Sequence, residues 1–141
     1  MPLKVTLPSL AILLIILTFG CAQRSQSSSA VSGVPQQLPS PIPAVVVSIS
    51  EEYANINTDL SEDQLAAYGI THGSNLVAHY NEQTIQALLG RDYSDVPRGA
   101  WIALIEEDGT LQLAISFGNA ATQLGCAAGD TLYIEPLVHR D

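Results

Sequence analysis

The residues with chemical potential are few and scattered. Cys21 and Cys126, His72, His79 and His139, and the acidic run Glu106-Glu107-Asp108 are the natural starting points. The histidines show no H-x-x-x-H spacing and no cysteine beside them, so they do not read as a zinc or iron site. The three adjacent acids sit beside Gly109 in a turn and cannot all converge on one calcium ion, so a solvated turn is expected. No serine lies in a nucleophile-elbow context. A phosphate loop and a dinucleotide fingerprint are both missing. Cys126, between Gly125 and Ala127, reads as a small buried hydrophobe rather than a reactive thiol. The side chains therefore suggest no catalytic constellation, no cofactor and no metal.

The elements that must position any site are strands. In the stretch from Trp101 to Asp130 two apolar runs flank Asp108-Gly109, a hairpin signal because glycine takes a positive φ without penalty. Leu111, Leu113 and Ile115 alternate with Thr110, Gln112 and Ser116, the period of a strand with one buried face. Gly118–Leu124 reads as a brief helix with Asn119 at its N-cap, and Thr131–Val138 as a last strand whose Pro136 marks an edge or an end. Upstream, Ala44–Ser50 reads as the first strand. Ser61-Glu62-Asp63-Gln64 has the form of a capping box opening a short helix to Tyr68, stopped by Gly69. Asn75–Tyr80 and Thr84–Leu89 read as strands, and Gly90–Gly99 as a loop. The expected class is all-β: a closed or nearly closed barrel of about seven short strands with one or two short helices.

Charge and length narrow the function. Asp plus Glu outnumber Lys plus Arg by 14 to 5, for a net charge of −9. That field repels phosphate backbones, so nucleic acid is not an expected partner. Residues 1–20 form an apolar run behind Lys4 that suits a secretory signal and is short for a membrane span. Gly20-Cys21 at its end resembles the lipobox of bacterial lipoproteins, with Thr18 and Phe19 departing from the usual pattern. The resemblance implies lipidation at Cys21 and an exported domain held at the cell membrane or outer membrane. Residues 21–43 are rich in Ser, Gln and Pro and read as a disordered tether. That leaves residues 44–138 as a folded domain and 139–141 as a tail.

Three blocks in residues 44–138 carry a further likeness: Tyr53-Ala54-Asn55-Ile56-Asn57-Thr58-Asp59-Leu60, Tyr93-Ser94-Asp95-Val96-Pro97-Arg98-Gly99, and Glu106 through Ala121 followed by Leu124-Gly125 and Gly129-Asp130. Together they resemble the C-terminal β-barrel domain of the S-adenosylmethionine hydroxide adenosyltransferase family, which includes fluorinases and chlorinases. In that family catalysis belongs to an N-terminal domain, while the barrel helps hold the adenine and methionine parts of the substrate. Only a signal and a tether are expected before Ala44, so the resemblance implies a non-enzymatic binding half. Tyr53, Asn55 and Phe117 are the implied nucleoside pocket: Asn55 toward an adenine edge, Tyr53 as a stacking face. Equally, Tyr53 and Phe117 could be core aromatics and Asn55 a turn residue. Tyr53-Ala54-Asn55 replaces the family's Phe-Gly-Asn, and Glu106-Glu107 replaces its Asn-Ser. Two carboxylates there would repel a ligand carboxylate but could pair with an amino or sulfonium group.

The expectation is a membrane-anchored, non-catalytic lipoprotein whose barrel binds a protein partner or an adenosine- or S-adenosylmethionine-like ligand, the protein partner ranking slightly ahead. The alternative is an accessory subunit that completes the active site of a separately encoded catalytic domain.

Overall fold

The computed structural model describes residues 40–138. The expected signal segment, Cys21 with its expected lipid, most of the expected tether and the tail with His139 lie outside the described residues. Seven strands close into one barrel: β1 (Ile42–Ile49), β2 (Ile56–Ser61), β3 (Asn75–Tyr80), β4 (Gln83–Leu89), β5 (Trp101–Ile105), β6 (Thr110–Ile115) and β7 (Thr131–Pro136). Their order around the barrel is β1-β2-β6-β5-β4-β3-β7. Every pairing is antiparallel except β4 with β5.

Alternation builds the core. Ala44 and Val46 of β1, Ile56 and Leu60 of β2, Leu76 and Ala78 of β3, and Leu132 and Ile134 of β7 are buried and packed into one cluster. Leu111, Leu113 and Ile115 of β6 join the same cluster. Successive side chains in a strand point to opposite faces, so these every-second residues fill the interior as a small barrel requires.

Two short helices add apolar plugs at the two ends of the β2–β6 pair. Helix α1 (Glu62–Ala67) follows β2, and α2 (Ala120–Leu124) lies just beyond the opposite end, after β6. The capping box of α1 forms as the sequence suggests: Ser61 Oγ accepts from Gln64 N at 3.3 Å, and Gln64 Oε1 accepts from Ser61 N at 3.0 Å. It satisfies two of the free amides at the helix start and directs Leu65 inward. Helix α2 buries Ala120, Ala121 and Leu124 and ends on Gly125, whose φ of 76° is the left-handed C-cap glycine favours.

Several expectations need correction. The first strand begins at Ile42, not Ala44, so the tether's expected end at residue 43 runs into β1. Pro43 is tolerated near the strand start, opposite Tyr133. Pro136 ends β7, but β7 is no edge: it pairs with both β1 and β3. Asn119 occupies the N-cap position of α2 without a side-chain cap bond. Strand β2 (Ile56–Ser61) falls in a stretch to which the sequence reading assigns no strand.

The largest difference concerns residues 90–100. Strands β4 and β5 run parallel, so the connection between them must cross over rather than turn back. It carries a single 3₁₀ turn at Tyr93–Asp95. Val96 of this crossover packs on Ile102, Leu104 and Ala114, a second cluster separate from the barrel interior. Strand β6 is therefore buried on both faces, and Gln112, expected to face solvent, is only 6% exposed.

Candidate functional site

The site grows from two tight turns at the α2 end of the β2–β6 pair. The first links β1 to β2. Ala54 N donates to Ser50 O at 2.9 Å and Ser50 N to Asn55 O at 2.9 Å, which folds residues 50–55 back on themselves. Ala54 closes this turn with φ of 51°, in the left-handed region that costs a residue with a Cβ. Its carbonyl accepts from Ala121 N at 2.9 Å, fixing the turn to α2. Tyr53 is left exposed, while Asn55 is driven to 5% exposure.

The second turn leaves β6. Phe117 has φ of 58° and is 79% exposed, an unusual place for a large apolar ring. Gly118 N donates to Ile115 O at 3.0 Å to close the turn. A Cβ on Gly118 would lie 2.5 Å from Ile115 Cγ2, so only glycine fits this close approach.

The crossover adds a third wall. Asp92 Oδ1 accepts from Ser94 N at 2.8 Å, and Asp95 Oδ2 accepts from Arg91 N at 2.7 Å. The hydrogen bonds from Ser94 hold the Asp92 carboxyl below the usual carboxylate range. Ser116 Oγ donates to Tyr93 O at 3.3 Å and ties the crossover to the exit of β6.

Tyr53, Asn55, Tyr93, Ile115, Phe117 and Gly118 surround a hollow of about 320 Å³. All three residues singled out from the sequence lie on it together. The core-aromatic reading of Tyr53 and Phe117 is overturned, since Tyr53 is 58% exposed and Phe117 more so. Sequence reasoning misses two functional candidates. Tyr93 stands in a family-like block with no role attached to it, and Gln112 follows the outward period of its strand.

These two residues set the posture of Asn55. Asn55 Nδ2 donates to Tyr93 Oη at 2.9 Å and to Gln112 Oε1 at 3.2 Å, and Tyr93 Oη donates to Gln112 Oε1 at 3.0 Å. Gln112 is itself oriented, because its Nε2 donates to Asn57 Oδ1 at 2.8 Å and Asn57 Nδ2 donates to Ser48 Oγ at 3.0 Å. The chain of amides fixes which end of Asn55 faces where. Its side-chain nitrogen is used inside the protein; its side-chain oxygen makes no hydrogen bond among the described residues. Burial pushes the Tyr93 phenol above its ordinary value, the Asn55 hydrogen bond opposes that, and the Glu106 and Asp92 carboxylates add to it. The Glu52 carboxylate likewise raises the Tyr53 phenol. Both rings stay neutral at physiological pH and can offer an O–H and an apolar face.

The left-handed Ala54 gives a direct test of this geometry. Glycine carries no penalty at φ of 51°, so Ala54→Gly should stabilise the domain by about 1 kcal/mol. Thermal denaturation should show a midpoint raised by roughly 4–8 °C. An unchanged or lowered midpoint would mean the turn is not held as described.

Other chemistry is sparse. A more open hollow of about 400 Å³ lies against His72, Gly73, Gly90, Arg91 and Asp95. Its backbone amides at Gly73, Gly90 and Arg91 already donate within the protein, which leaves few groups for a ligand. Cys126 is buried, and burial pushes its thiol up. Among the described residues no three His, Cys, Asp or Glu side chains gather as a metal site. Among them, too, no helix is long and apolar enough to cross a membrane.

Fold and hollow together define a class: a small closed barrel with an aromatic, amide-floored recess at one end. Residues 45–133 match the family described as the SAM hydroxide adenosyltransferase C-terminal domain, and the chain belongs to that family. No curated protein matches it. Among solved structures it is similar to an uncharacterized conserved protein from Thermotoga maritima, at 18% identity and a TM-score of 0.63, over 66% of this chain and 35% of that one. It is also similar to a conserved hypothetical protein from Thermus thermophilus, at 20% identity and a TM-score of 0.48, over 69% of this chain and 35% of that one. The chain thus spans about a third of the length of these solved structures.

Proposed function

We propose that this chain is a membrane-anchored lipoprotein whose barrel is a non-catalytic binding module for a purine nucleoside-like ligand. The observation that carries the reading is the convergence of Tyr53, Tyr93 and Phe117 around a hollow floored by Asn55. Flat apolar faces suit a heterocycle, and one oriented amide suits its polar edge. The hollow moves the reading away from a protein partner and toward a small ligand. With Nδ2 engaged, Asn55 offers its oxygen, and an exocyclic amino group is the matching donor. Belonging to a family named for an adenosyl-transferring enzyme supports an adenosine-like ligand. The lipid anchor rests on Cys21 at the end of the apolar segment.

Calorimetric titration of the full chain with adenosine and with S-adenosylmethionine tests the ligand. Heat and a one-to-one stoichiometry are expected for adenosine, with no release of adenosine and methionine from S-adenosylmethionine. Absence of heat for both would remove the nucleoside reading, and turnover would remove the non-catalytic one. The anchor has its own test: Cys21→Ser should shift the protein from the membrane to the soluble fraction, and an unchanged distribution would argue against lipidation.

A further inference from the structure

Arg98 occupies an unusual position for a cation in so acidic a chain. Fourteen Asp and Glu face five Lys and Arg. Both ion pairs found among the described residues use histidine, His72 with Glu62 and His79 with Glu135. Arg98 makes neither. Its guanidinium carbon instead sits 4.1 Å from the centroid of the Phe117 ring. A guanidinium over an aromatic face is held by the ring's quadrupole while its N–H fork stays free for other acceptors.

The placement is built into the fold. Gly99 N donates to Ser116 O at 2.7 Å, and Ser116 N donates to Ala100 O at 3.0 Å. These bonds lash the end of the crossover to the exit of β6, one residue from Arg98 on one side and from Phe117 on the other. Phe117 is both a wall of the hollow and the platform for Arg98. Among the carboxylates, Glu52 acts on the Tyr53 phenol, and Glu106 and Asp92 on that of Tyr93. Arg98 is not itself a lining residue; it stands at the edge of the hollow, on the Phe117 ring.

We propose that Arg98 is a specificity-determining residue at this hollow, receiving an anionic arm, phosphate or carboxylate, of a ligand whose flat ring lies within it. The inference rests on the nucleoside reading above and narrows it from a neutral nucleoside to a nucleotide-like ligand. A guanidinium binds such a group through two parallel N–H bonds.

The test is titration of the full chain with adenosine and with adenosine 5′-monophosphate, at low and high salt. The monophosphate should bind about tenfold tighter or better, by hydrogen bonds to a charged group. The advantage should shrink with salt. In Arg98→Gln the affinity ratio should fall to about one, and Arg98→Lys should retain part of it, since lysine keeps the charge and loses the fork. Adenosine binding with no gain for the monophosphate, or a gain that survives in Arg98→Gln, overturns this inference and leaves the nucleoside reading standing. Binding of neither ligand overturns both.

Discussion

Leu113→Ala should lower the unfolding free energy by about 2–5 kcal/mol, the range for removing a buried leucine side chain. Leu113 is fully buried in the barrel interior, and its strand is the one paired with both β2 and β5. A closed barrel gives its neighbours little room to collapse into the space, because each is fixed by hydrogen bonds on two sides. The upper half of the range is therefore expected. For a domain of this size that is a fall of roughly 10 °C or more in the denaturation midpoint. Chemical denaturation should report the same loss with an unchanged slope. A loss under about 1 kcal/mol would contradict the packing described here.

Gly118→Ala should act on stability and on the site together. The added methyl would sit 2.5 Å from Ile115 Cγ2 and 3.0 Å from Ile115 Cβ. Ile115 cannot swing clear, because its Cβ is among the atoms struck and the residue is 5% exposed between the core and the hollow. Either the turn at Phe117 opens or β6 shifts, at a cost of about 1–3 kcal/mol, typical of overpacking. Both responses move Phe117, so affinity for adenosine should fall along with the midpoint. The glycines at 73 and 129 meet nothing within 4 Å of a new Cβ and serve as controls, since substitution there strains φ without touching the hollow. An alanine at 118 that leaves both midpoint and affinity intact would show that this turn does not shape the site.

The parts of the fold that were legible in the sequence are those written in local chemistry. The Ser61–Gln64 capping box, the Asn75–Tyr80 strand and the Asp108-Gly109 hairpin each depend on neighbours within a few residues. The turn even supplies its own lock, with Asp108 Oδ1 accepting from Thr110 Oγ1 at 2.6 Å and from Thr110 N at 3.0 Å. What escaped detection depends on distant chain. Gln112 reads as a solvent residue because it follows the outward period of β6, yet Tyr93 and Asn55 reach it from other elements and enclose it. Ala114 is buried by the crossover in the same way. Nothing local announces that β4 and β5 run parallel, because that follows from how the barrel closes.

The site shows the same division. Tyr53, Asn55 and Phe117 come from two blocks far apart in the chain, and the family likeness, not any spacing rule, brought them together. In the structure each block contains a residue at positive φ, Ala54 and Phe117, that turns the chain at the hollow's edge. In the likeness, Ala54 stands where the family carries glycine, which accounts for the conformation it is made to adopt. The role of Tyr93 and Gln112 in fixing the Asn55 amide emerges only from the distances.

The most direct measurement follows backbone amide resonances of the isotopically labelled full chain as adenosine is added. A ligand in this hollow should shift Ala54, Asn55, Tyr93, Phe117 and Gly118 together, saturating at one equivalent, and leave His72, Gly90 and Arg91 unmoved. Resonances that stay in place at every adenosine concentration, or shifts gathered around His72 and Arg91 instead, would contradict the account.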